Sequence, residues 1–184
     1  MLTVVTGINW GDEGKGRVID LLAEKANVVA RFQGGDNAGH TVVVGREKYV
    51  MNLLPSGILH PDVVCVLGPG MVIDLEELLH EVDSLREKGI SITPRNLKIS
   101  DKATISMPWH RIQDELEEER LSGSGRAFGS TKRGIAYAYS DKYRKKTLRI
   151  GDLLHLEEPE VQDRISMILE AKNMELEGCY HQEP

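Results

Sequence analysis

A chain of 184 residues that is 40% hydrophobic and 28% charged has the makings of one domain with a real core, and at this length about 70% of the unfolded surface can be buried. Its 23 Lys and Arg against 29 Asp and Glu leave a net charge of −6, which offers no long-range attraction to nucleic acid or to an anionic membrane, and neither is expected as a partner. Apolar runs such as residues 63–67 fall far short of the ~18 residues a membrane span needs, and residues 1–6 lack the basic start of a signal peptide. Two cysteines, Cys65 and Cys179, are too few for a disulfide framework or zinc site, so a cytoplasmic protein with reduced thiols is expected.

In chain order, Leu2-Thr3-Val4-Val5-Thr6 reads as a buried parallel strand that ends at Gly7. A glycine-punctuated loop follows, and Val18, Leu21 and Leu22 at i, i+3, i+4 predict an amphipathic helix from Gly14 to about Lys25. Residues 28–32 form a second strand. The polar loop 33–40 leads to a hairpin of residues 41–44 and 48–51 around Gly45-Arg46. A third buried strand covers 63–67 and is expected to end at Gly68-Pro69-Gly70. Asp74, with Glu77 three residues on, caps a helix whose stripe is Leu75, Leu78, Leu79, Val82 and Leu85 and which stops before Gly89. Residues 97–99 make a weak strand, and 108–121 make a helix whose acidic run 114–120 reads as a solvated face. Residues 122–140 hold Gly123, Gly125, Gly129 and Gly134 with Arg126, Lys132 and Arg133, a loop long enough to be functional or mobile. Lys142, Arg144, Lys145, Lys146 and Arg149 form a basic cluster. A last helix over 157–177 carries Val161, Ile165, Ile168 and Leu169. Alternating strands and helices predict an α/β fold with a mainly parallel sheet flanked by helices, similar to the phosphate-loop NTPases.

Two loops carry the chemistry. In Gly11-Asp12-Glu13-Gly14-Lys15-Gly16-Arg17, between a strand and a helix, glycines let backbone N–H groups cradle phosphate, the helix N-terminus adds a positive dipole, and Lys15 adds a charge. The spacing is not G-x-x-x-x-G-K, and Gly16 stands where a Walker loop has its hydroxyl. The usual magnesium ligand is therefore missing, and Asp12 is the obvious substitute, binding metal or handling a proton. In Gln33-Gly34-Gly35-Asp36-Asn37-Ala38-Gly39-His40-Thr41, beyond the carboxyl end of the next strand, the chain should converge on the same crevice and bring His40 near Asp12 as a general acid or oxyanion stabiliser. His60, His80, His110, His155 and His181 lack such a context and read as structural.

Together the two loops closely resemble the signature loops of the adenylosuccinate synthetase family. Leu54-Pro55-Ser56-Gly57-Ile58-Leu59, Gly129-Ser130-Thr131-Lys132-Arg133-Gly134-Ile135, Tyr139-Ser140-Asp141-Lys142 and Leu148-Arg149-Ile150-Gly151-Asp152-Leu153 agree with it in the same order. The resemblance implies a GTP-dependent ligase of AMP synthesis that joins IMP and L-aspartate through 6-phosphoryl-IMP, with Mg2+ and as a homodimer. Carried over residue by residue, Asp12 and His40 are the catalytic pair, and Asp12 and the Gly39 carbonyl are the magnesium ligands. Gly11, Asp12, Glu13, Gly14, Lys15, Gly16, Arg17, Gly39, His40 and Thr41 face GTP, while Asp12, Glu13, Gly14, Lys15, Asn37, Ala38, Gly39, His40, Thr131 and Lys145 face IMP.

The chain also departs from the pattern. Lys145 stands where the family usually has an arginine that reaches a partner subunit's IMP phosphate, and neighbouring Arg144 is a possible stand-in. Lys132, Ala136 and Tyr137 replace a common Gly, Gly and Pro. Family members are more than twice as long, so residues 1–184 read as a single amino-terminal nucleotide-binding portion of an incomplete domain, with an open sheet edge and exposed apolar surface. The rival readings are a nucleotide-binding fragment without turnover, a generic phosphate-loop NTPase and, least favoured, a scaffold protein.

Overall fold

A computed structural model describes residues 1–8 and 14–181. Its elements run α1 (Lys15–Ala23), β1 (Val28–Gly34), β2 (His40–Val44), β3 (Glu47–Met51), a 3-10 turn (Ser56–Leu59), β4 (Val64–Asp74), α2 (Leu75–Glu87), β5 (Leu97–Ile99), β6 (Thr104–Ser106), α3 (Pro108–Ser122), α4 (Ile135–Arg144), a second 3-10 turn (Ile150–His155) and α5 (Pro159–Tyr180). The main sheet is parallel. β1 pairs with β4 from Val28 opposite Val64, β5 joins the first part of β4 with Cys65 opposite Leu97, and β6 joins its last part with Val72 opposite Thr104. β2 and β3 form a separate antiparallel hairpin. The α/β architecture and the hairpin around Gly45-Arg46 are as the sequence pattern predicts.

The core lies between this sheet, the hairpin and α2. Val42, Met51, Leu53, Leu54, Ile58, Cys65, Leu67, Met71 and Ile73 meet Leu78, Val82 and Leu85 there, all shielded from water. A smaller cluster of Ile105, Leu148 and Ile168 seats α5 beside β6. Asp74 caps α2 as expected, its carboxylate accepting from the N–H groups of Glu76 and Glu77 at 3.0 and 3.1 Å.

Several expectations are corrected. Residues 2–6 form no strand, and Leu2 stands 88% exposed; extended apolar chain becomes a strand only against a partner, and no ladder reaches this segment. Val18, Leu21 and Leu22 of α1 are exposed, as is Leu79 of α2. β4 does not stop at Gly68-Pro69-Gly70 but continues to Asp74. It can do so because Gly70 has no side chain where the Phe32 carbonyl of β1 presses in, and because the ladder shifts register between Arg31 and Gln33. β6 went unforeseen. Of residues 122–140 only 123–134 are loop, Ser122 being the end of α3 and 135–140 the start of α4. The acidic run on α3 is not simply solvated. Asp114 and Glu118 are buried with His110 and Gln113 because they cap the loop beyond the helix: Asp114 accepts from the Gly134 N–H at 2.9 Å, and Glu118 from those of Phe128 and Ser130 at 3.0 and 2.8 Å.

Candidate functional site

The first glycine loop enters α1 through Gly14, whose φ of +73° is the left-handed conformation that glycine adopts without strain. Gly11, Asp12 and Glu13 lie outside the described residues. Gly14, Lys15 and Arg17 are exposed at the start of the helix, where the helix dipole favours an anion. Gly16 faces His40, and a Cβ on it would stand 2.7 Å from that of the histidine. The helix start and the second loop therefore touch, although only the second of them follows a parallel strand, β1.

β1 delivers the second loop. Asp36 is buried, Asn37, Ala38, Gly39 and Thr41 are exposed, and His40 opens β2 opposite Met51. The His40 Nε2 is buried and has no hydrogen-bond partner among the described residues. Burial, and secondarily the charge of Arg31, hold this imidazole's pKa down to about 4, so it is neutral at physiological pH. A neutral ring with one unsatisfied nitrogen can donate to or accept from a ligand atom without releasing a charge into the site.

A cluster of ions joins this loop to the region of Thr131. Arg111 of α3 reaches Asp74 at 2.7 Å and Asp36 at 3.2 Å, and Arg133 reaches Glu77 at 2.6 Å and Asp36 at 3.4 Å. Thr131 is exposed two residues before Arg133. The Tyr139 hydroxyl of α4 accepts from the Gly34 N–H at 2.8 Å and donates to the Gly70 carbonyl at 2.9 Å, which ties the carboxyl end of β1 to the middle of β4. At the far end of α4, Lys145 is exposed with φ +62°. Arg144 is engaged with Glu175 at 2.9 Å, so the arginine that could have stood in for Lys145 is already paired.

The described residues include no cluster of three or more His, Cys, Asp or Glu able to hold a metal. What lies beside Gly39 is oxygen: a Cβ there would meet Asn52 Oδ1 at 2.5 Å. Oxygen donors few in number suit Mg2+, which is held by one or two protein ligands together with a nucleotide's phosphates. Pattern reading passed over Asp36, Arg31 and Glu81, the last two being charged residues within an apolar strand and on the buried stripe of α2.

The two loops meet beside a parallel α/β sheet, and comparison with known proteins narrows what the chain is. A family model described as adenylosuccinate synthetase matches residues 4–184. Adenylosuccinate synthetases of Halothermothrix orenii and Carboxydothermus hydrogenoformans are 47% and 49% identical, each over 98% of this chain and 41% of their own length. A fully ligated adenylosuccinate synthetase from Plasmodium falciparum superposes with a TM-score of 0.83 at 38% identity, covering 94% of this chain and 39% of its own. A cyanophage S-2L succinoaminodeoxyadenylate synthetase, bound to dGMP and to dATP as an energy donor, aligns at 0.59 and 31% identity over 81% of this chain and 40% of its own. The chain belongs to the adenylosuccinate synthetase family, and it spans about two fifths of the length of these relatives. No helix among the described residues is long and apolar enough to cross a membrane.

Proposed function

We propose that this chain supplies the amino-terminal half-site of a ligase that joins IMP to L-aspartate at the expense of GTP, through 6-phosphoryl-IMP, giving adenylosuccinate in AMP synthesis. The observation that carries this reading is the meeting of the two glycine loops at Gly16 and His40, with a neutral imidazole whose Nε2 has no partner among the described residues. The amino end of α1, with Lys15 and Arg17, holds GTP phosphates, and Gly39 and Thr41 border them. Asn37, Ala38, His40 and Thr131 frame IMP. Asp12 takes the proton from N1 of IMP while the 6-oxygen attacks the γ-phosphorus and GDP departs. His40 hydrogen-bonds to that oxygen as its charge changes, a task for which a ring kept neutral is suited. The amine of L-aspartate then displaces phosphate from carbon 6 and loses a proton. Asp12 and the Gly39 carbonyl would hold Mg2+, which when bound neutralises charge on the phosphates. The protein works in the cytoplasm as a homodimer, with Lys145 directed to the partner's IMP phosphate.

The test is calorimetric titration of the chain with IMP in the presence of Mg·GTP, and with dGMP in the presence of dATP. Preferential uptake of IMP is expected, and preference for dGMP would move the assignment to the phage-type reaction. In a protein of the relatives' full length carrying this segment, Asp12→Ala and His40→Ala are each expected to abolish adenylosuccinate formation with the fold retained. Parent-like turnover in either would refute its assigned role. A chain that binds nucleotide but forms no product would leave the half-site reading intact, and product from the 184 residues alone would overturn it.

A further inference from the structure

Between β3 and the first 3-10 turn the backbone of Asn52, Leu53 and Leu54 is held from both sides by opposite charges. Glu81 of α2, only 8% exposed, accepts from all three N–H groups, at 3.1 Å for Asn52, 2.9 Å for Leu53 and 2.9 Å for Leu54. Arg31 of β1 donates to the carbonyls of the same stretch, from Nη1 to Asn52 and, at 3.2 Å, to Leu53. Its other nitrogen, Nη2, donates to the Gly35 carbonyl at 2.7 Å. This short segment touches both glycine loops. Asn52 Oδ1 lies against Gly39, Met51 pairs with His40, and the Ser56 hydroxyl donates to the Gly16 carbonyl at 2.9 Å.

Three consecutive N–H groups converging on one buried carboxylate is a costly arrangement unless it fixes something. Without Glu81 the three amides would be left unsatisfied away from water, and without Arg31 the carboxylate charge would be poorly balanced. With both present, the peptide planes of 52–54 have one orientation, and so do the groups that hang from them.

We propose that Arg31 and Glu81 are positioning residues for the nucleotide site. Through the 52–54 backbone they set the spacing between the 34–40 loop and the start of α1. The inference rests on the reading that these loops hold nucleotide, but it concerns residues whose hydrogen bonds here go to backbone groups. The pair explains why β1 carries an arginine among Val28, Val29, Ala30 and Phe32, and why the buried stripe of α2 carries a glutamate between Leu78 and Leu85.

The experiment compares Arg31→Lys and Glu81→Gln with the core variant Ile73→Val, at temperatures giving equal distance from each unfolding midpoint. Lysine keeps the charge but cannot reach the carbonyls on both sides, and glutamine keeps the shape but turns its amide NH2, a donor, toward at least one N–H. Hydrogen exchange of the amides of 34–41 is expected to quicken about tenfold or more over the Ile73→Val control in both variants. IMP affinity in the presence of Mg·GTP should fall on the order of 10- to 100-fold, as when supporting groups around a site are removed. Exchange that rises evenly over the whole chain, or not at all in 34–41, would overturn the inference. If the parent chain takes up no IMP, the functional reading fails, while the exchange pattern still decides whether Arg31 and Glu81 fix the loop. Should Glu81→Gln fail to fold, Arg31→Lys carries the same comparison.

Discussion

Helices α1 and α2 present the same apolar spacing to opposite fates. Val18, Leu21 and Leu22 recur as regularly as Leu78, Val82 and Leu85, yet the first set is exposed and the second is in the core. The difference lies in what each helix meets. α2 covers β4, a strand paired along its length by β1, β5 and β6, and the hairpin closes over the same apolar layer. The α1 stripe finds no such cover: β1 ends the sheet with no further strand beyond it among the described residues, residues 2–6 add none, and Val28 and Phe32 of β1 are exposed as well. Periodicity predicts a helix and its apolar face, but burial belongs to the pair of surfaces.

The contrast is broken most sharply by one substitution on each helix. Leu85→Ala should destabilise by about 2–5 kcal/mol, while Leu21→Ala should stay within ~0.5 kcal/mol, both read from urea unfolding. Equal losses would show that the α1 stripe is covered in solution. A second difference is electrostatic. Because the folded pKa of His40 is held to about 4 against 6.5 in the unfolded chain, the unfolded state takes up a proton first as pH falls. Stability is therefore unaffected above pH 6.5 and declines between 6.5 and about 4, by on the order of 3 kcal/mol. His40→Ala should remove that part of the decline, which unfolding curves across this pH range would register. Smaller still is the cap that only α2 has: Asp74→Ala should cost about 1–2 kcal/mol through the lost bonds to Glu76 and Glu77 and the lost pair with Arg111, whereas Gly14 offers α1 no side-chain cap to remove. The smallest effect concerns Lys132, which sits at φ +56° where the family commonly has glycine. Lys132→Gly should relieve backbone strain of about 1 kcal/mol, offset in part by glycine's greater freedom when unfolded, and a small rise in melting temperature would record the balance.

Much of this was legible in the sequence. α1, β1, the hairpin, the first part of β4, α2, β5, α3, α5 and the Asp74 cap follow from period and capping chemistry, whereas α4 was hidden in a glycine-rich loop and β6 was too short to show; the first glycine loop stands out because a phosphate cradle needs glycine at the foot of a helix. What stayed hidden has a common physical cause. Asp114 and Glu118 look like solvated charge because the pattern cannot show that a loop folds back to give them its N–H groups. Asp36 sits in a loop that reads as uniformly polar, and only the fold brings Arg111 and Arg133 to it. Glu81 was in fact exposed to inspection, since it falls three residues after Leu78 and four before Leu85, on the buried stripe where a carboxylate needs partners. Residues 2–6 show the opposite error, an apolar run credited with a strand before any partner for it was identified. Asp12, to which the resemblance assigns the proton transfer, lies outside the described residues.

The central claim is that the two glycine loops form one nucleotide site. Its most direct test is an NMR titration of the chain with IMP and Mg·GTP, following the backbone amides of Gly14, Lys15, Gly16 and Arg17 together with those of Asn37, Ala38, Gly39, His40 and Thr41. The account predicts that both groups shift together along a single binding curve, and that His40→Ala weakens the response of both. Shifts confined to one loop, or resonances in both that stay in place at saturating nucleotide, would contradict it.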